Sequence, residues 1–201
     1  LRLPGVPELI ASKVRMLVVS GGAYPDGGPE QNIQRDVAAA KRLFAEWPTP
    51  IVASGREAGD ALLYPAASIE NDFAWSQAHP LVDAYKANKP MPYDAPTYDM
   101  TAVLYAVRPQ EGYFKLSAPG TIRVSDDGRT SFVAGDSGKH RYIIYDPEQK
   151  ERIVKVYTEV ASVKPVPRFP RFRPMEKKDE PKKEEKKVEE KKPEEVDKPG
   201  K

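Results

Sequence analysis

The sequence predicts an α/β fold: an open, mainly parallel sheet with flanking helices, then a β-hairpin region and a disordered charged tail. Two short apolar runs, residues 16–19 and 50–54, are separated by an amphipathic helical pattern, as in a strand–helix–strand unit. Several short β-type runs joined by turn dipeptides follow in the second half. Residues 176–201 consist almost entirely of Lys, Glu, Asp and Pro, a composition that cannot form a core.

The first half of the chain carries the strand–helix–strand pattern. Residues 1–13 indicate a loop and a short helix, which lead into an apolar strand over 16–19 that suits burial on both faces. Residues 50–54 predict a second buried strand, and the crossover between the two should be right-handed. The helix between them is predicted from apolar residues at helical spacing, and Pro48 and Pro50 end it. These residues are Ile33, Val37, Ala40, Phe44 and Trp47.

The middle of the chain is predicted to be mostly helical. Residues 57–63 indicate a short helix, and residues 69–86 a longer helix that is bent or broken at Pro80. Residues 88–97 contain three prolines and predict irregular structure. Tyr98–Val107 predicts a further helix, with one apolar face.

The second half changes to short β-type runs and ends in one helix. The turn dipeptides Asp127-Gly128 and Ser137-Gly138 separate some of these runs. The predicted strands are residues 113–116, 121–124, 130–134 and 141–145. After Pro147, an amphipathic helix is predicted from the spacing of Ile153, Val156, Tyr157 and Val160.

Charge divides the chain into three regions. Residues 1–163 hold 18 basic and 20 acidic groups and form the predicted domain. Residues 164–175 form a basic linker rich in Pro and aromatic residues, and residues 176–201 form a tail with ten Lys and ten Asp or Glu. The near-neutral domain and the balanced tail do not suit a general binder of nucleic acid or of a membrane surface.

Other classes of protein are constrained by composition. The chain has no cysteine, so no disulfide framework is predicted and the compartment stays open. No apolar run is long enough to cross a membrane. The chain begins at Leu1 without a methionine or a leader pattern, and a partial or processed chain is expected. A homo-oligomer is compatible with this composition.

A site is expected in the loop after the first strand. In open α/β sheets, ligands bind beyond the carboxyl ends of the strands, where this loop would lie. It holds four glycines and then the polar residues Glu30, Gln31 and Asn32, just before the helical pattern. No Gly-x-Gly-x-x-Gly pattern or phosphate-loop lysine is present, so a nucleotide-phosphate site is not predicted.

Two motifs resemble the inosine-uridine-type nucleoside hydrolase family. The run LVVSGGAYPDGGPEQNIQRDVAAAKRLF is similar to a family stretch in which a strand ends in Gly-Gly and a Glu-x-Asn precedes a helix with Asp-x-x-Ala-Ala. Tyr98-Asp99-Met100-Thr101-Ala102-Val103 resembles the family's His-Asp-Pro-x-Ala-Val segment. The resemblance covers about residues 14–160 and corresponds to the C-terminal half of a typical member.

The resemblance implies roles for four residues. Glu30 and Asn32 would bind ribose hydroxyls, Asp99 would be a calcium ligand, and Tyr98 would occupy the leaving-group position. The implied reaction is calcium-assisted hydrolysis of the N-glycosidic bond of a ribonucleoside, with a nucleoside or another ribose-containing molecule as the binding partner. Calcium can hold sugar hydroxyls and the attacking water, and carboxylates favour an oxocarbenium-like sugar.

The chain departs from the family pattern in three ways. The family's N-terminal aspartate cluster is absent, so the water-activating aspartates are expected from a missing N-terminal half; one Asp cannot supply the six to eight oxygens that Ca²⁺ takes. Tyr98 replaces a histidine, and a phenol is a weak general acid at neutral pH. The loop before Glu30 is short, and Tyr24 and Asp26 are nearest to the place of a family asparagine.

Other interpretations stay open. Glu30, Asn32 and Asp99 all suit helix starts, where Thr97 would be an N-cap and acidic groups are favoured whatever their function. The chain would then be a non-catalytic relative that binds a sugar or nucleoside, or a structural module. His79 before Pro80 suggests a helix bend, while Trp75 suggests core or the wall of a base pocket. Function in the linker and tail, through protein interaction, is a third hypothesis.

Overall fold

A computed structural model describes residues 1–25 and 27–166, of which Leu1–Lys164 form one compact unit. Most of the predicted linker and the whole predicted tail, as well as Asp26, lie outside the described residues.

The unit combines eight helices with eight strands, some of them very short. The helices are α1 (Val6–Lys13), α2 (Gln31–Arg35), α3 (Val37–Glu46), α4 (Arg56–Ala61), α5 (Ala66–Asn71), α6 (Pro80–Asn88), α7 (Tyr98–Val107) and α8 (Lys150–Ala161), with one 3₁₀ turn over Pro147–Gln149. The strands are β1 (Leu17–Ser20), β2 (Ile51–Ser54), β3 (Leu63–Tyr64), β4 (Ala95–Pro96), β5 (Lys115–Leu116), β6 (Gly120–Val124), β7 (Thr130–Ala134) and β8 (His140–Ile144).

The main sheet runs in the order β1-β2-β8-β6-β7, with β5 paired to β8. β1, β2 and β8 are parallel, with Leu17 opposite Ile51 and Ile51 opposite His140. β6 runs antiparallel to β7 and to β8, so the predicted hairpin region extends the sheet. The predicted α/β fold with a mainly parallel sheet, flanking helices and a hairpin is therefore confirmed.

Helices cover both faces of this sheet. Successive side chains of the buried strand β2 point to opposite faces, and each set packs against a different group of helices. Ile51 and Ala53 pack with Ile33 and Phe44, from α2 and α3, on one face. Val52, on the opposite face, joins a cluster that α4 and α7 close. A third cluster lies among α5, α7 and α8 and contains Leu62, Tyr64, Ile69, Phe73, Leu104, Tyr113, Ile153, Val156 and Tyr157. Among the described residues, no helix is long and apolar enough to span a bilayer.

The predicted helix over residues 33–47 is two helices in the structure. Asp36, with φ −151° and ψ 83°, separates α2 from α3, and its carboxylate accepts from the N–H of Ala39 at 2.8 Å. Asp36 thus starts a new helix as an N-cap, a role that competes with helix continuation. The apolar spacing persists across the break and hides it in the sequence.

The middle of the chain differs from the prediction at the end of α4 and in the segment predicted to be irregular. α4 ends at Ala61, so Leu63–Tyr64 forms a strand that pairs with Ala95–Pro96, inside the segment predicted to be irregular. The predicted break at Pro80 in the helix over 69–86 is confirmed, because α5 ends at Asn71 and α6 begins at Pro80. Pro80 occupies the first turn of α6, where its missing N–H costs nothing, and the ring Nδ1 of His79 accepts from Leu81 N–H at 3.3 Å. His79 is a cap, not a bend residue.

Candidate functional site

The loop after β1 is held in place by residues that follow other strands. Gly21 N–H donates to the carbonyl of Ser54 at 2.9 Å, and the N–H of Arg56 donates back to the carbonyl of Gly22 at 2.9 Å. Gly22 has φ 82°, and a Cβ there would lie 3.0 Å from the Thr130 methyl group, so only glycine suits this close approach. The loop is thereby fixed to the carboxyl end of the sheet.

Thr130 of β7 fixes the same loop from the other side. Its buried hydroxyl accepts from Ala23 N–H at 3.1 Å and donates to the Ala23 carbonyl at 3.1 Å. Tyr24, the next residue, is buried and stacks on Tyr142 with ring centroids 5.1 Å apart. Burial raises the pKa of the Tyr24 phenol well above its ordinary value. Tyr24 therefore anchors the loop beneath the surface.

Glu30 is the N-cap of α2. Its Oε2 accepts from Gly22 N–H and Ile33 N–H, each at 3.1 Å, and its Oε1 accepts from Asn32 N–H at 2.9 Å. The helix-start interpretation of Glu30 is thus confirmed. A carboxylate has about four acceptor positions, so one direction at Oε1 stays open toward a ligand.

Asn32 is the second residue of α2 and is oriented by β1. Its Nδ2 donates to the carbonyl of Ser20, the last residue of β1, at 3.2 Å. This bond leaves the side-chain oxygen and one N–H of Asn32 for a ligand. Asn32 and Glu30 are therefore held at the carboxyl end of β1 by backbone groups.

The start of α7 is held against α4. Thr97 is the N-cap position, as predicted, but its hydroxyl donates to the Leu62 carbonyl at 2.7 Å instead of capping α7. Thr97 N–H also donates to the carbonyl of Gly59 at 3.2 Å. A Cβ on Gly59 would lie 2.8 Å from Tyr98 Cα and 2.9 Å from the Tyr98 nitrogen. The two helices can therefore pack this closely only because Gly59 has no side chain.

This contact brings Tyr98 beside two charged residues of α4. The Tyr98 hydroxyl donates to Asp60 Oδ1 at 2.6 Å, and Arg56 Nε pairs with Asp60 Oδ2 at 3.0 Å. The hydrogen bond to Asp60 raises the pKa of the Tyr98 phenol above its ordinary value of 10.0, and partial burial adds to the rise. Tyr98 keeps its proton at neutral pH and directs it to Asp60.

These elements surround a cavity of about 500 Å³ at the carboxyl end of β1, which we call the strand-end cavity. Its functional lining comes from α2 with its N-cap, from α4 and from the start of α7: Glu30, Asn32, Arg35, Arg56, Tyr98 and Asp99. All four residues singled out by the sequence motifs line one cavity, although they are up to 69 positions apart in the chain. Trp75 and His79 contact each other elsewhere, and His79 lines a separate cavity next to α6.

Arg35, Arg56 and Asp60 were not singled out in the sequence. Arg56 and Asp60 are four residues apart on a short helix after β2, a spacing that places both side chains on one face. The carboxyl ends of neighbouring parallel strands lie at the same edge of a sheet. A helix that starts after β2 must therefore lie near the loop after β1. That argument could have found the pair, whereas Arg35, the last residue of α2, carries no comparable signal in the sequence.

The strand-end cavity can hold a polar, uncharged molecule. Acceptors come from Glu30, Asn32 and Asp99, and donors come from Asn32 and the guanidinium groups of Arg35 and Arg56. Within the part of the chain that the structure describes, Asp99 forms no hydrogen bond or ion pair, so both its oxygens face solvent or ligand. A sugar with several adjacent hydroxyls suits this mixture of donors and acceptors.

The residues present do not fit a calcium ion. Over residues 1–25 and 27–166, no group of three or more His, Asp and Glu side chains could hold a metal. Three backbone N–H groups take three of the roughly four acceptor positions of Glu30, so Asp99 is the lining carboxylate with both oxygens open. Calcium takes six to eight oxygens, so these residues alone cannot bind it firmly.

Solved structures of nucleoside hydrolases resemble the chain in fold. A plant nucleoside hydrolase superposes with a TM-score of 0.60 at 18% identity, covering 78% of this chain and 56% of the plant protein. An inosine-uridine preferring nucleoside hydrolase from Bacillus anthracis gives a TM-score of 0.49 at 15% identity, with 78% and 54% covered. No protein-family model and no curated protein sequence matches the chain.

The plant structure shows that the chain has a nucleoside-hydrolase-like fold. Identity of 18% carries no information about activity, so the likeness extends to the fold alone. The chain spans about half the length of the two solved structures.

Proposed function

We propose that the strand-end cavity binds the ribose of a nucleoside, and that the chain is part of an N-glycosyl hydrolase of nucleoside-hydrolase type. One observation carries the proposal: Glu30, Asn32, Tyr98 and Asp99, which two separate motifs single out, line one cavity at the carboxyl end of β1. This is where ligands bind in open α/β sheets. The fold of the plant nucleoside hydrolase supports it.

Glu30 and Asn32 would bind the ribose hydroxyls. The open acceptor direction of Glu30 Oε1 can take a hydroxyl proton, and the Asn32 amide can donate to and accept from a neighbouring hydroxyl. Because backbone bonds hold both side chains, little ordering entropy is lost when the sugar binds. Two adjacent hydroxyls on one ring suit this rigid pair.

Asp99 would supply negative charge to the reacting sugar. Cleavage of an N-glycosidic bond passes through an oxocarbenium-like sugar, which a nearby carboxylate stabilises. Asp99 is exposed and its oxygens are open, so it can face the ring carbon that becomes positive. Activation of the attacking water needs a further carboxylate, which in this proposal comes from outside the described residues.

Calcium remains part of the proposal only for a completed site. Asp99 would be one ligand, and the other oxygens would have to come from outside the described residues.

A non-catalytic nucleoside-binding protein is the second candidate, and the Tyr98–Asp60 hydrogen bond favours it. The proton that could protonate a departing base is directed to Asp60 at 2.6 Å instead. Such a protein would bind nucleosides through Glu30 and Asn32 without releasing ribose.

Isothermal titration of the full chain with inosine, adenosine, uridine and D-ribose tests binding. Glu30→Gln and Asn32→Ala should each weaken nucleoside binding about tenfold, the worth of roughly one hydrogen bond to a charged or fixed group. Gln34→Ala, an exposed change on α2 outside the cavity, is the matched control. Equal affinities for all four proteins would refute the ribose site.

A reducing-sugar assay then separates the two candidates. The protein is incubated with nucleosides in the presence of Ca²⁺ or of EDTA, and free ribose is measured. Release of ribose supports the hydrolase, whereas binding without release supports the non-catalytic nucleoside binder.

A further inference from the structure

The direction of the hydrogen bond at Tyr98 is fixed by chemistry. A phenol carries one O–H, and a carboxylate can only accept. Tyr98 therefore donates to Asp60 Oδ1 across 2.6 Å, while Asp60 Oδ2 accepts from Arg56 across 3.0 Å. With its proton engaged, the Tyr98 oxygen presents only lone pairs to the strand-end cavity.

We propose that Asp60 is a positioning residue that fixes Tyr98 as a hydrogen-bond acceptor, so that the nucleoside group at Tyr98 is a hydrogen-bond donor. This inference rests on the proposed nucleoside site and specifies its ligand. The donor is an amino group of the base or a sugar hydroxyl. An unprotonated ring nitrogen in that place would bring its lone pair against a lone pair of the Tyr98 oxygen, and the two would repel each other.

The neighbouring residues hold both partners of the Tyr98–Asp60 hydrogen bond in place. Arg56 and Asp60 lie on one face of α4, and their ion pair restricts the carboxylate to one orientation. Gly59, next to Asp60, touches the backbone of Tyr98, and its carbonyl accepts from Thr97 N–H at 3.2 Å. The α4–α7 contact therefore sets the distance between Asp60 and Tyr98 through the backbone.

The arrangement reverses the role that the sequence resemblance implies for this position. A leaving-group residue gives a proton to the departing base, whereas Tyr98 gives its proton to Asp60. The consequence is selectivity instead of acid catalysis: Asp60 determines which ligand groups Tyr98 accepts. Asp60 reaches the ligand only through Tyr98 and is not among the cavity-lining residues.

Adenosine analogues that each lack one group test the inference with the full chain. Four lack a donor: purine riboside lacks the amino group, and the 2′-, 3′- and 5′-deoxyadenosines each lack a hydroxyl. One, 7-deazaadenosine, lacks an acceptor nitrogen. Dissociation constants are measured by calorimetry for the wild-type chain and for Tyr98→Phe.

Tyr98→Phe should weaken adenosine binding about tenfold, the worth of one net hydrogen bond. To the wild type, one donor-deleted analogue should bind about tenfold more weakly than adenosine. To Tyr98→Phe, the same analogue should bind as tightly as adenosine does. If 7-deazaadenosine shows that pattern instead, Tyr98 donates to the ligand and the inference is overturned. It is overturned too if every analogue keeps the same penalty in both proteins.

Asp60→Asn distinguishes positioning from a structural role. Its amide can donate to the Tyr98 oxygen, which frees the phenol proton for the ligand. In Asp60→Asn, the donor-deleted analogue should therefore lose its affinity penalty, and 7-deazaadenosine should acquire one. Asp83→Asn, on α6 at another cavity, should leave both penalties as in the wild type. A uniform loss of affinity for all analogues would show that Asp60 only supports the fold.

A crystal structure of the unliganded protein separates this inference from the proposed function. Nucleoside binding with Tyr98 turned away from Asp60 would overturn the inference and leave the ribose site standing. An intact Tyr98–Asp60 bond in a protein that binds no nucleoside would overturn the proposed function, and with it the ligand class assigned here.

Discussion

The backbone N–H of Gly22 donates to the carboxylate of Glu30 at 3.1 Å, which closes the loop after β1 onto the start of α2. The same carboxylate accepts from Asn32 N–H and Ile33 N–H. One side chain thus defines both the shape of the loop and the first turn of the helix. Ligand binding and local stability share this residue, so a change at Glu30 must be measured for both.

Glu30→Ala should lower the free energy of unfolding by about 1–3 kcal/mol, because three backbone N–H groups lose their acceptor in a partly buried place. Urea unfolding measures this change in the free energy of unfolding, and Gln34→Ala on the same helix is the control. Gln34 is exposed and should change stability by less than about 0.5 kcal/mol. Equal effects of the two substitutions would show that Glu30 is not a structural cap.

Thr130→Val should destabilise the protein by about 1–3 kcal/mol although it conserves volume. The lost hydroxyl both accepts from Ala23 N–H and donates to the Ala23 carbonyl, and these groups would be left without their partner. Thr121→Val, on the exposed side of β6, is the control. Thermal unfolding of both variants measures the difference, and an unchanged midpoint for Thr130→Val would contradict the role given to this hydroxyl.

Gly59→Ala should separate α4 from α7. The new methyl group would lie 2.8 Å from Tyr98 Cα, too close for a real contact, so the helices must move at a cost of about 1–3 kcal/mol. Gly135→Ala is the matched control, because nothing lies within 4 Å of its Cβ position. Denaturant unfolding gives the stabilities, and nucleoside affinity reports the position of Tyr98. Similar results for both variants would mean that the contact is looser than the structure shows.

Much of the fold follows from local sequence signals. The strands β1 and β2, the helix α7 and the final helix were predicted because apolar spacing and flanking Gly or Pro residues agree there. Asp36 shows where the signal fails. The apolar spacing continues across it, and the backbone angles of Asp36 and the hydrogen bond from Ala39 show that a second helix begins.

The candidate site was predicted in part. Glu30, Asn32, Tyr98 and Asp99 carry motif signals, and the structure places them at one cavity. The partners of these groups carry no such signal: the Glu30–Gly22 bond and the Tyr98–Asp60 bond depend on how chain segments meet. Sequence spacing can suggest that a residue serves a site, but the direction of a hydrogen bond depends on its three-dimensional partner.

His140 should make stability fall as the pH is lowered. Its side chain is buried, and its Nδ1 accepts from Ile122 N–H at 2.9 Å, a bond that only the neutral imidazole can accept. Burial lowers the pKa of His140 below its ordinary value of 6.5, so the unfolded chain binds the proton more readily. The free energy of unfolding should be highest above pH 6.5 and fall as the pH passes from there toward the lowered pKa, by at most about 1.4 kcal/mol per pH unit.

His140→Asn isolates this effect, because the amide oxygen of asparagine can accept from Ile122 N–H at any pH. Urea unfolding of both proteins is measured between pH 5 and pH 8, and the difference is plotted against pH. His79 and the carboxylates are present in both proteins, so their contributions cancel in that difference. The wild type should lose stability relative to the variant as the pH falls. A difference that does not change with pH would mean that His140 takes up its proton equally well in the folded and unfolded chains.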